Sequence, residues 1–401
     1  MSKQVTPPSI TGSGAGFAAG GSVLDHNFGK GEPYTLGVEE EYMLLDGGTL
    51  DLVQHVEAVL AATAGHELEQ RINPELMQSV IEIATPVCES PAEVERELRR
   101  LRGYVTGLAH EQGMRVGSAG THPFSLFERQ RITARDRYRH LVDQLQYIAR
   151  RELIFGLHIH VAVDDAEKAV KVVNGLLAHL SSLLALSASS PFWRGEATGL
   201  ASSRQMVFAA FPRSGPPPRF RDYADYAEVV GQLEKTGCIA DYTHIWWDIR
   251  LHPRFGTVEI RICDAVTRVE DAVALAAFCQ ALVKLYSERY AVGAEIPSYH
   301  RILTTENKWL AARYGLEAPV MDLKNGRRNR VPVAQLIRRT LKEIEPHARE
   351  LGADRELEGI REILAKGNGA DRQRRVWNAN RDLVEVVREL ANATEQAAVT
   401  A

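Results

Sequence analysis

Three consecutive glutamates interrupt an apolar stretch near the start of the chain. In "YTLGVEEEYMLL" (34–45), Glu39, Glu40 and Glu41 lie in a run that otherwise has the composition of a buried strand. A carboxylate taken out of water is costly unless solvent or a cation compensates it. Because alternate side chains of a strand share a face, Glu39 and Glu41 are predicted to face one side and Glu40 the other.

Four further segments combine one apolar strand face with a second face that carries Glu, His, Asp, Arg or Cys. The polar-face residues are Glu82 in "SVIEIAT" (79–85), His158 and His160 in "FGLHIHVAV" (155–163), Asp248 and Arg250 in "HIWWDIRL" (244–251), and Glu259, Arg261 and Cys263 in "TVEIRIC" (257–263). This repeated pattern predicts an α+β fold with a mostly antiparallel sheet, helices on one side and a polar face on the other.

The residue types on the polar face suit metal-assisted phosphoryl transfer. Carboxylate oxygens are ligands for Mg²⁺ or Mn²⁺, and neighbouring glutamates repel one another unless cations or protons neutralise them. Arginine can bind phosphate oxygens through two hydrogen bonds. Taken singly, each motif also has a purely structural interpretation. "VEEEY" fits a charged, solvated edge strand, "EIR" fits a Glu259–Arg261 surface pair, and "HIH" fits two hydrogen-bonded structural histidines. Their combination with Glu82, in a very apolar strand, favours a site.

Capping signals predict where the helices begin. "SPAE" (90–93) offers a Ser N-cap with Pro and Glu at the following positions, and "DDAE" (164–167) and "TRVE" (267–270) open two more helices. The C-terminal part, from about 320 to 401, is predicted to be mostly helical. Breaks are expected near Pro346, Gly352 and residues 367–369.

Composition excludes several classes of protein. The chain has 401 residues, 25% charged and 45% hydrophobic, and a net charge of −4, which provides neither a basic field for nucleic acid nor a polybasic membrane anchor. The longest apolar run identified, 272–283, has the length of a core helix and is too short to span a membrane. The four cysteines of the chain are far apart in the sequence, which is typical of reduced thiols. Neither a GxxxxGK[ST] motif nor a strand–GxGxxG–helix unit occurs.

The N-terminal segment is rich in Gly, Ser and Pro and lacks the basic start and leucine-rich centre of a secretion signal. We therefore predict a flexible tail over residues 1–32, a single catalytic domain over 33–401, and a cytoplasmic location.

Eight motifs in register resemble one family. They are "LGVEEEYML", "ELMQSVIEIATPVCES", "GTHPF", "RELIFGLHIHV", "SASSPFWRG…GLASSR", "FPRSGPPP", "WWDIRLHPRFGTVEIRICD" and "ENKWLAARYGLEA". From about Tyr34 to about Ala318, and more loosely through the helical C-terminus, the chain is similar to the ATP-dependent carboxylate–amine ligases, the glutamate–cysteine ligase type 2 group.

The resemblance implies a fold like that of glutamine synthetase and the guanidino kinases, with a curved sheet whose concave face holds ATP, Mg²⁺ (Mn²⁺ as an alternative) and the acid substrate. It implies metal-ligand roles for Glu39, Glu41, Glu82, Glu259 and also Glu75. His158 would lie close to the metal-bound phosphates, and Arg261 would neutralise the transferring phosphoryl group. Arg204 and Arg250 would hold the substrate carboxylate, and His160 is left without a role.

The implied reaction joins two small molecules. A carboxylate attacks the γ-phosphate of ATP, and an amine then displaces phosphate from the acyl phosphate to form an amide. Glutamate and cysteine are the family's default pair and give γ-glutamylcysteine, although weak activity or another amine is compatible with the sequence. The alternatives are a guanidino-type kinase, a divalent-metal hydrolase and a non-catalytic metabolite-binding relative. A homo-oligomer is also compatible with the sequence.

Overall fold

A computed structural model describes residues 25–297, 299–324 and 329–396. The strands in these ranges are β1 (Leu36–Asp46), β2 (Ile72–Pro74), β3 (Val80–Ala84), β4 (Met114–Gly117), β5 (Gly156–Ala162), β6 (Phe192–Trp193), β7 (Glu196–Ala197), β8 (Ser214–Gly215), β9 (Trp246–Trp247), β10 (Ile249–His252), β11 (Thr257–Asp264), β12 (Pro319–Met321) and β13 (Arg330–Pro332).

The α-helices in the same ranges are α1 (Val56–Ala62), α2 (Pro91–Glu111), α3 (Asp136–Leu145), α4 (Tyr147–Arg150), α5 (Ala166–Leu176), α6 (Leu180–Ser187), α7 (Ser203–Phe208), α8 (Tyr223–Lys235), α9 (Val269–Ala291), α10 (Arg301–Tyr314), α11 (Val333–Glu350), α12 (Asp354–Lys366), α13 (Gly369–Asn380) and α14 (Leu383–Gln396).

One antiparallel sheet organises the molecule. Its strand order is β10–β11–β5–β1–β3–β2, and β4 pairs with the far end of β1. The central strand β1 pairs with β5 through its first half and with β3 along its other edge. The mostly antiparallel sheet predicted from the sequence is confirmed.

Helices α2, α5 and α9 cover one face of this sheet. Ser90 caps α2 by accepting a hydrogen bond from the Glu93 amide, and Asp165 does the same for α5 through the Lys168 amide. Helix α9, which contains the apolar run 272–283, is buried because α11 and α12 pack on its outer side. Full burial of an aliphatic side chain stabilises a fold by about 1.5–3 kcal/mol, so this layer contributes strongly to the stability of the sheet.

A second apolar segment follows the helix start predicted at "DDAE" (164–167). Residues Ala166–Ser187 are 22 residues long and apolar enough, by length and composition, to cross a membrane. In the structure they form α5, a 3₁₀ turn (Leu177–His179) and α6, and 89% of their most apolar window is buried inside the protein. Such burial is typical of a core element.

The opposite face of the sheet is only partly polar, which corrects the expectation of helices on one side alone. Met43 and Leu45 of β1 lie in a second apolar cluster with Val386, Val387 and Leu390 of α14. The period-two pattern could not reveal this, because the covering helix comes from the other end of the chain.

Two elements differ from the sequence prediction. A β-bulge shifts the register of β11 against β5 between Ile260 and Cys263, so Cys263 joins the apolar core instead of the polar face. Helix α11 continues through Pro346, where a break was expected, because Ile344 and Ala348 are buried on the same face. The predicted breaks near Gly352 and Gly367 are present.

Part of the predicted tail is folded. Phe28 is buried, and the Asn27 and Gly29 amides donate to the carbonyls of Pro253 (2.9 Å) and Val163 (3.3 Å). Residues 1–24 lie outside the described ranges.

Candidate active site

Strand register brings the predicted acidic residues together at the centre of the sheet. Glu41 of β1 lies directly opposite Glu82 of β3, and Glu39 lies opposite His158 of β5. Directly opposed residues have Cβ atoms about 5 Å apart, close enough for their side chains to share one ligand. The Nδ1 atom of His158 is 3.2 Å from Glu39 Oε2.

The row continues across the sheet to its edge. His160 is opposite Glu259 of β11, and Glu259 is opposite Arg250 of β10. The Nε2 atom of His160 is 3.6 Å from Glu39 Oε1 and 3.8 Å from Glu259 Oε1. His160, for which the sequence assigned no role, therefore lies between the two carboxylates, with its Nε2 atom beyond hydrogen-bond distance of both.

Among the residues that the structure describes, potential metal ligands form three contiguous groups, in each of which the ligand atoms lie within 4.8 Å of one another. The groups are Glu41, Glu75 and Glu82; Glu39, Glu82 and His158; and Glu39, His160 and Glu259. All five glutamates predicted as ligands belong to at least one group. Two glutamates are shared, so the groups form one continuous cluster.

The group of three glutamates lacks compensating charge of its own. Burial, followed by repulsion from Glu39, Glu75 and Glu41, raises the pKa of Glu82 well above its ordinary value. Burial and the Glu41 carboxylate raise the pKa of Glu75 to about 7. These carboxylates resist ionisation because no positively charged side chain of the described residues lies among them. A hard divalent cation would supply that charge and bind to the carboxylate oxygens.

The other end of the row is ionised by its neighbours. Burial opposes ionisation of Glu39, but the hydrogen bond with His158 and the nearby His160 imidazole outweigh it and hold the pKa of Glu39 well below the usual range. Burial likewise opposes ionisation of Glu259, but Arg250 and Arg261 hold its pKa well below the usual range. This half of the cluster is therefore anionic at neutral pH.

Arg250 and Arg261 differ in what they contact. Arg250 donates to Glu259 through Nε (2.5 Å) and Nη2 (3.3 Å) and to the carbonyls of Thr243 and Ile245. Arg261 also contacts Glu259, but it lines the adjoining cavity, where Arg250 does not appear. Arg250 thus contacts Glu259 without lining this cavity. The contact of Arg250 with the substrate carboxylate stays a prediction.

A cavity opens beside the cluster. Its lining residues are Glu41, Glu75, Leu76, Met77, Val80, Glu152, Ile154, His158, Arg204, Phe208 and Arg261. The predicted residues Arg204, Arg261 and His158 therefore reach the same space as two of the predicted ligands. Positive and negative groups face one another across it, as binding of a metal–phosphate complex and a carboxylate requires.

Gly156 allows the cavity wall to close around Arg204. A Cβ atom at Gly156 would lie 2.5 Å from Arg204 Nη2 and 2.9 Å from His158 Nε2. The Gly156 amide also donates to Glu41 Oε2 at 2.5 Å. A side chain at this position would displace groups of the site, which explains why the first residue of β5 is glycine.

The serine-rich motif "SASSPFWRG…GLASSR" positions Arg204 through a buried aspartate. Asp264 accepts hydrogen bonds from the Ser189 amide (2.9 Å) and from the hydroxyls of Ser190 (2.6 Å) and Ser202 (2.8 Å). The Arg204 amide then donates to the Ser190 hydroxyl (3.1 Å). These serines therefore link Asp264 to the backbone of Arg204 and position the arginine. Their spacing in the sequence did not indicate this role.

The middle glutamate of the opening triplet has a different environment. Glu40 is buried on the helix side and receives hydrogen bonds from Arg102 Nε (2.9 Å) and Nη2 (2.5 Å) and from the Tyr42 hydroxyl. Glu40 thus forms a buried ion pair with Arg102 on the face opposite Glu39 and Glu41, as strand alternation predicted.

Sequence reasoning missed Glu152. It lies between α4 and β5 in a segment without strand alternation, so no pattern singled it out. Burial and the Glu41 and Glu75 carboxylates raise its pKa to about 8. The signal available in the sequence was its place just before the two-histidine strand, within "RELIFGLHIHV".

Comparisons with known proteins identify the family of this chain. Residues 35–392 match the model of glutamate–cysteine ligase family 2. Two relatives whose names refer to glutamate–cysteine ligase 2 are 43% identical over 364 residues (Rubrobacter xylanophilus) and 45% identical over 359 residues (Sorangium cellulosum). These alignments cover 91% and 89% of this chain and 96% and 95% of the relatives.

Solved structures show the same fold at low identity. The glutamate–cysteine ligase of Francisella tularensis in complex with AMP has a TM-score of 0.63 at 13% identity, covering 92% of this chain and 94% of that one. A bifunctional glutathione synthetase from Pasteurella multocida has a TM-score of 0.67 at 17% identity, covering 91% of this chain and 53% of that one. Together with the sequence matches, these findings establish that the chain belongs to glutamate–cysteine ligase family 2.

Proposed function

We propose that this protein is an ATP-dependent carboxylate–amine ligase that joins the γ-carboxylate of glutamate to an amine, with cysteine as the default acceptor. One observation carries the proposal: a continuous cluster of five glutamates and two histidines opens onto a cavity that also presents Arg204 and Arg261. The names of the relatives support glutamate and cysteine as the pair. They favour the ligase over a guanidino kinase or a non-catalytic binding protein.

Glu41, Glu75 and Glu82 would hold one divalent cation, and Glu39 with His158, His160 or Glu259 would hold others. Mg²⁺, with Mn²⁺ as an alternative, suits these carboxylate oxygens. When bound, such cations neutralise the phosphates of ATP and so reduce the repulsion between two anions.

The side chains of the protein orient the reactants. Arg204, held by the serine network around Asp264, faces the cavity and would bind the carboxylate of the acid substrate. Arg261 would stabilise the phosphoryl group in transfer, while its contact with Glu259 fixes its direction. His158, whose pKa is lowered by burial and by Arg261, is neutral at pH 7; with its one N–H on Nδ1 towards Glu39, its Nε2 is an acceptor that would ligate a cation near the phosphates.

The bonds change in two steps. An oxygen of the substrate carboxylate attacks the γ-phosphorus of ATP, and ADP leaves with the electron pair of the broken P–O bond. The amine nitrogen then attacks the acyl carbon, and phosphate leaves with the oxygen that came from the carboxylate.

An oxygen-transfer experiment tests this route. Glutamate labelled with ¹⁸O in its γ-carboxylate is incubated with ATP, Mg²⁺ and cysteine, and the phosphate is analysed by mass spectrometry. We expect one labelled oxygen per phosphate, with ADP as the nucleotide product, and loss of this transfer in Glu82→Gln. Label in AMP would indicate an acyl-adenylate, and amide formation with unlabelled phosphate would contradict the acyl phosphate.

A further inference from the structure

The proposed ligase must bind two anions and one cation. ATP and the acid substrate are negative, whereas an aliphatic amine arrives as an ammonium ion, which cannot attack until it loses a proton. The cavity holds Arg204 and Arg261 for the anions. It therefore also needs a group that attracts the ammonium and accepts its proton.

Among the acidic residues that line the cavity, Glu152 alone stands outside the ligand groups found in the described chain. Glu41 and Glu75 belong to the group completed by Glu82, and their ligand atoms lie within 4.8 Å of one another. Across the described ranges, neither a hydrogen bond nor an ion pair engages the Glu152 carboxylate. An acidic group inside a polar cavity, without a protein partner in the described ranges, is available to a ligand.

The backbone holds Glu152 at a fixed place on the cavity wall. Its amide donates to the Ala149 carbonyl (3.1 Å), and the next amide, of Leu153, donates to the Arg151 carbonyl (2.9 Å). Arg151 in turn donates to the Val207 carbonyl (3.2 Å) of α7, the helix that carries Arg204. The same contacts thus position the acid-binding arginine and Glu152 relative to each other.

The surroundings of Glu152 suit an amine with an organic substituent. Ile154 and Phe208 line the same cavity, and they pack in an apolar cluster with Val207 and Phe211. A carboxylate beside an apolar wall can pair with an ammonium group while the wall contacts the rest of the molecule.

We propose that Glu152 is the catalytic residue that binds the acceptor amine and takes its proton. This inference rests on the proposed ligase function. The ammonium gives one proton to the Glu152 carboxylate, and the free amine forms the C–N bond as the C–O bond to phosphate breaks. The second nitrogen proton lost in forming the amide leaves with the phosphate. Burial and the Glu41 and Glu75 carboxylates raise the pKa of Glu152 to about 8, so the carboxylate that accepts the proton is the minor form at pH 7 and becomes the major form above pH 8.

Two nucleophiles of similar size distinguish this role from others. Methylamine is protonated at neutral pH and needs a base, whereas hydroxylamine is mostly unprotonated and does not. We expect Glu152→Gln to lower amide formation with cysteine and methylamine about 100-fold, the size of a general-base contribution. Hydroxamate formation from glutamate, ATP and hydroxylamine should fall less than about 5-fold, because it uses the same acyl phosphate and only the proton transfer is bypassed.

Controls separate this role from loss of fold and from failure of the ligase proposal. Glu152→Asp, which keeps the carboxylate, should recover part of the methylamine activity, and Glu111→Gln, an exposed site on α2, should match the wild type. Equal losses with methylamine and hydroxylamine, or no loss with either amine, would overturn the role of Glu152. A wild type that forms no hydroxamate from glutamate would instead overturn the ligase proposal, and the role of Glu152 with it.

Discussion

Adjacent glutamates of β1 show how the environment assigns different functions to the same side chain. Glu40 points to the helix layer, where Arg102 and Tyr42 satisfy it in the dry interior. Glu41 points to the other face, where it meets Glu75 and Glu82 in a group suited to a cation. A buried ion pair contributes to the folded state, whereas a cluster of like charges is retained for what it binds.

This contrast predicts crossed effects of two substitutions. Glu40→Gln leaves Arg102 buried without its counter-charge and should lower the free energy of unfolding by about 3–5 kcal/mol. Glu41→Gln should change stability little and weaken the thermal stabilisation by ADP–Mg²⁺ strongly. Denaturant unfolding and melting temperatures with and without ADP–Mg²⁺ measure both effects. Equal losses of stability in the two variants would contradict the assignment of opposite faces.

Metal binding should become stronger as the pH rises from about 6 to about 8. In the free protein Glu75 keeps its proton until about pH 7, because burial and Glu41 raise its pKa, so a cation must displace that proton. For the same reason the contribution of the protonated Glu75 to stability is full below pH 4.5, its ordinary pKa, and disappears as the pH rises through about 7.

The melting temperature without divalent cation and the increase produced by Mg²⁺, both measured across this pH range, test the prediction. The increase should grow with pH in the wild type and depend less on pH in Glu75→Gln. An exposed acid on the neighbouring loop, Glu89, provides the control substitution to Gln. An Mg²⁺ effect that is largest at low pH would contradict the prediction.

At the scale of elements, the site depends on two departures from regular strands. The β-bulge in β11 turns Cys263 into the core and brings Asp264 opposite Gly156, where the serine network holds it. The glycine at the start of β5 lets the Arg204 guanidinium pass within contact distance of the strand. Regular alternation alone would have produced neither contact.

Replacing Gly156 with Ala should therefore impair catalysis more than folding. The new Cβ would lie 2.5 Å from Arg204 Nη2, so the arginine must move, and we expect at least a 10-fold lower kcat/KM for the acid substrate. Gly231→Ala in α8, where nothing lies within 4 Å, is the matched control and should be neutral or slightly stabilising. Steady-state kinetics and melting temperatures of both variants check this. Unchanged kinetics in Gly156→Ala would show that the close approach is not needed.

At the scale of the whole molecule, the C-terminal helices pack on both sides of the sheet and its helix layer. Helix α14 supplies apolar residues to the cluster on the second sheet face, and Glu395 accepts from the Val116 amide (3.0 Å) and from Arg115 Nε (3.1 Å). Helix α12 packs on α9 at the other side. The helical part beyond residue 320 is therefore built into the same body as the sheet.

We accordingly expect one cooperative unfolding transition in which tryptophan fluorescence and far-ultraviolet circular dichroism coincide. Glu395→Ala should lower the free energy of unfolding by about 2–3 kcal/mol, because it leaves the buried Val116 amide and Arg115 without their acceptor. Glu385→Ala, on a more exposed turn of the same helix, should have less than about 0.5 kcal/mol effect. Two separated transitions, or equal effects of the two substitutions, would indicate that α14 does not stabilise the core.

The sequence by itself determined the strands, their polar faces and the caps of the main helices. Alternation and capping are local properties, which depend on residues close together in the chain. It also identified the family, because eight motifs in order are carried by the chain itself. The same local geometry predicted that Glu39 and Glu41 share one face of β1 and that Glu40 lies on the other.

Tertiary structure alone decided which polar residues meet. The distances that group Glu41, Glu75 and Glu82 depend on how β1, β3 and the loop after β2 pair, which no local pattern encodes. The position of Cys263 depends on a bulge, and the position of Glu152 depends on the contact that the preceding residue, Arg151, makes with Val207 of α7. Register and long-range packing set these relations, since a shift of a single residue would send every side chain of a strand to the other face.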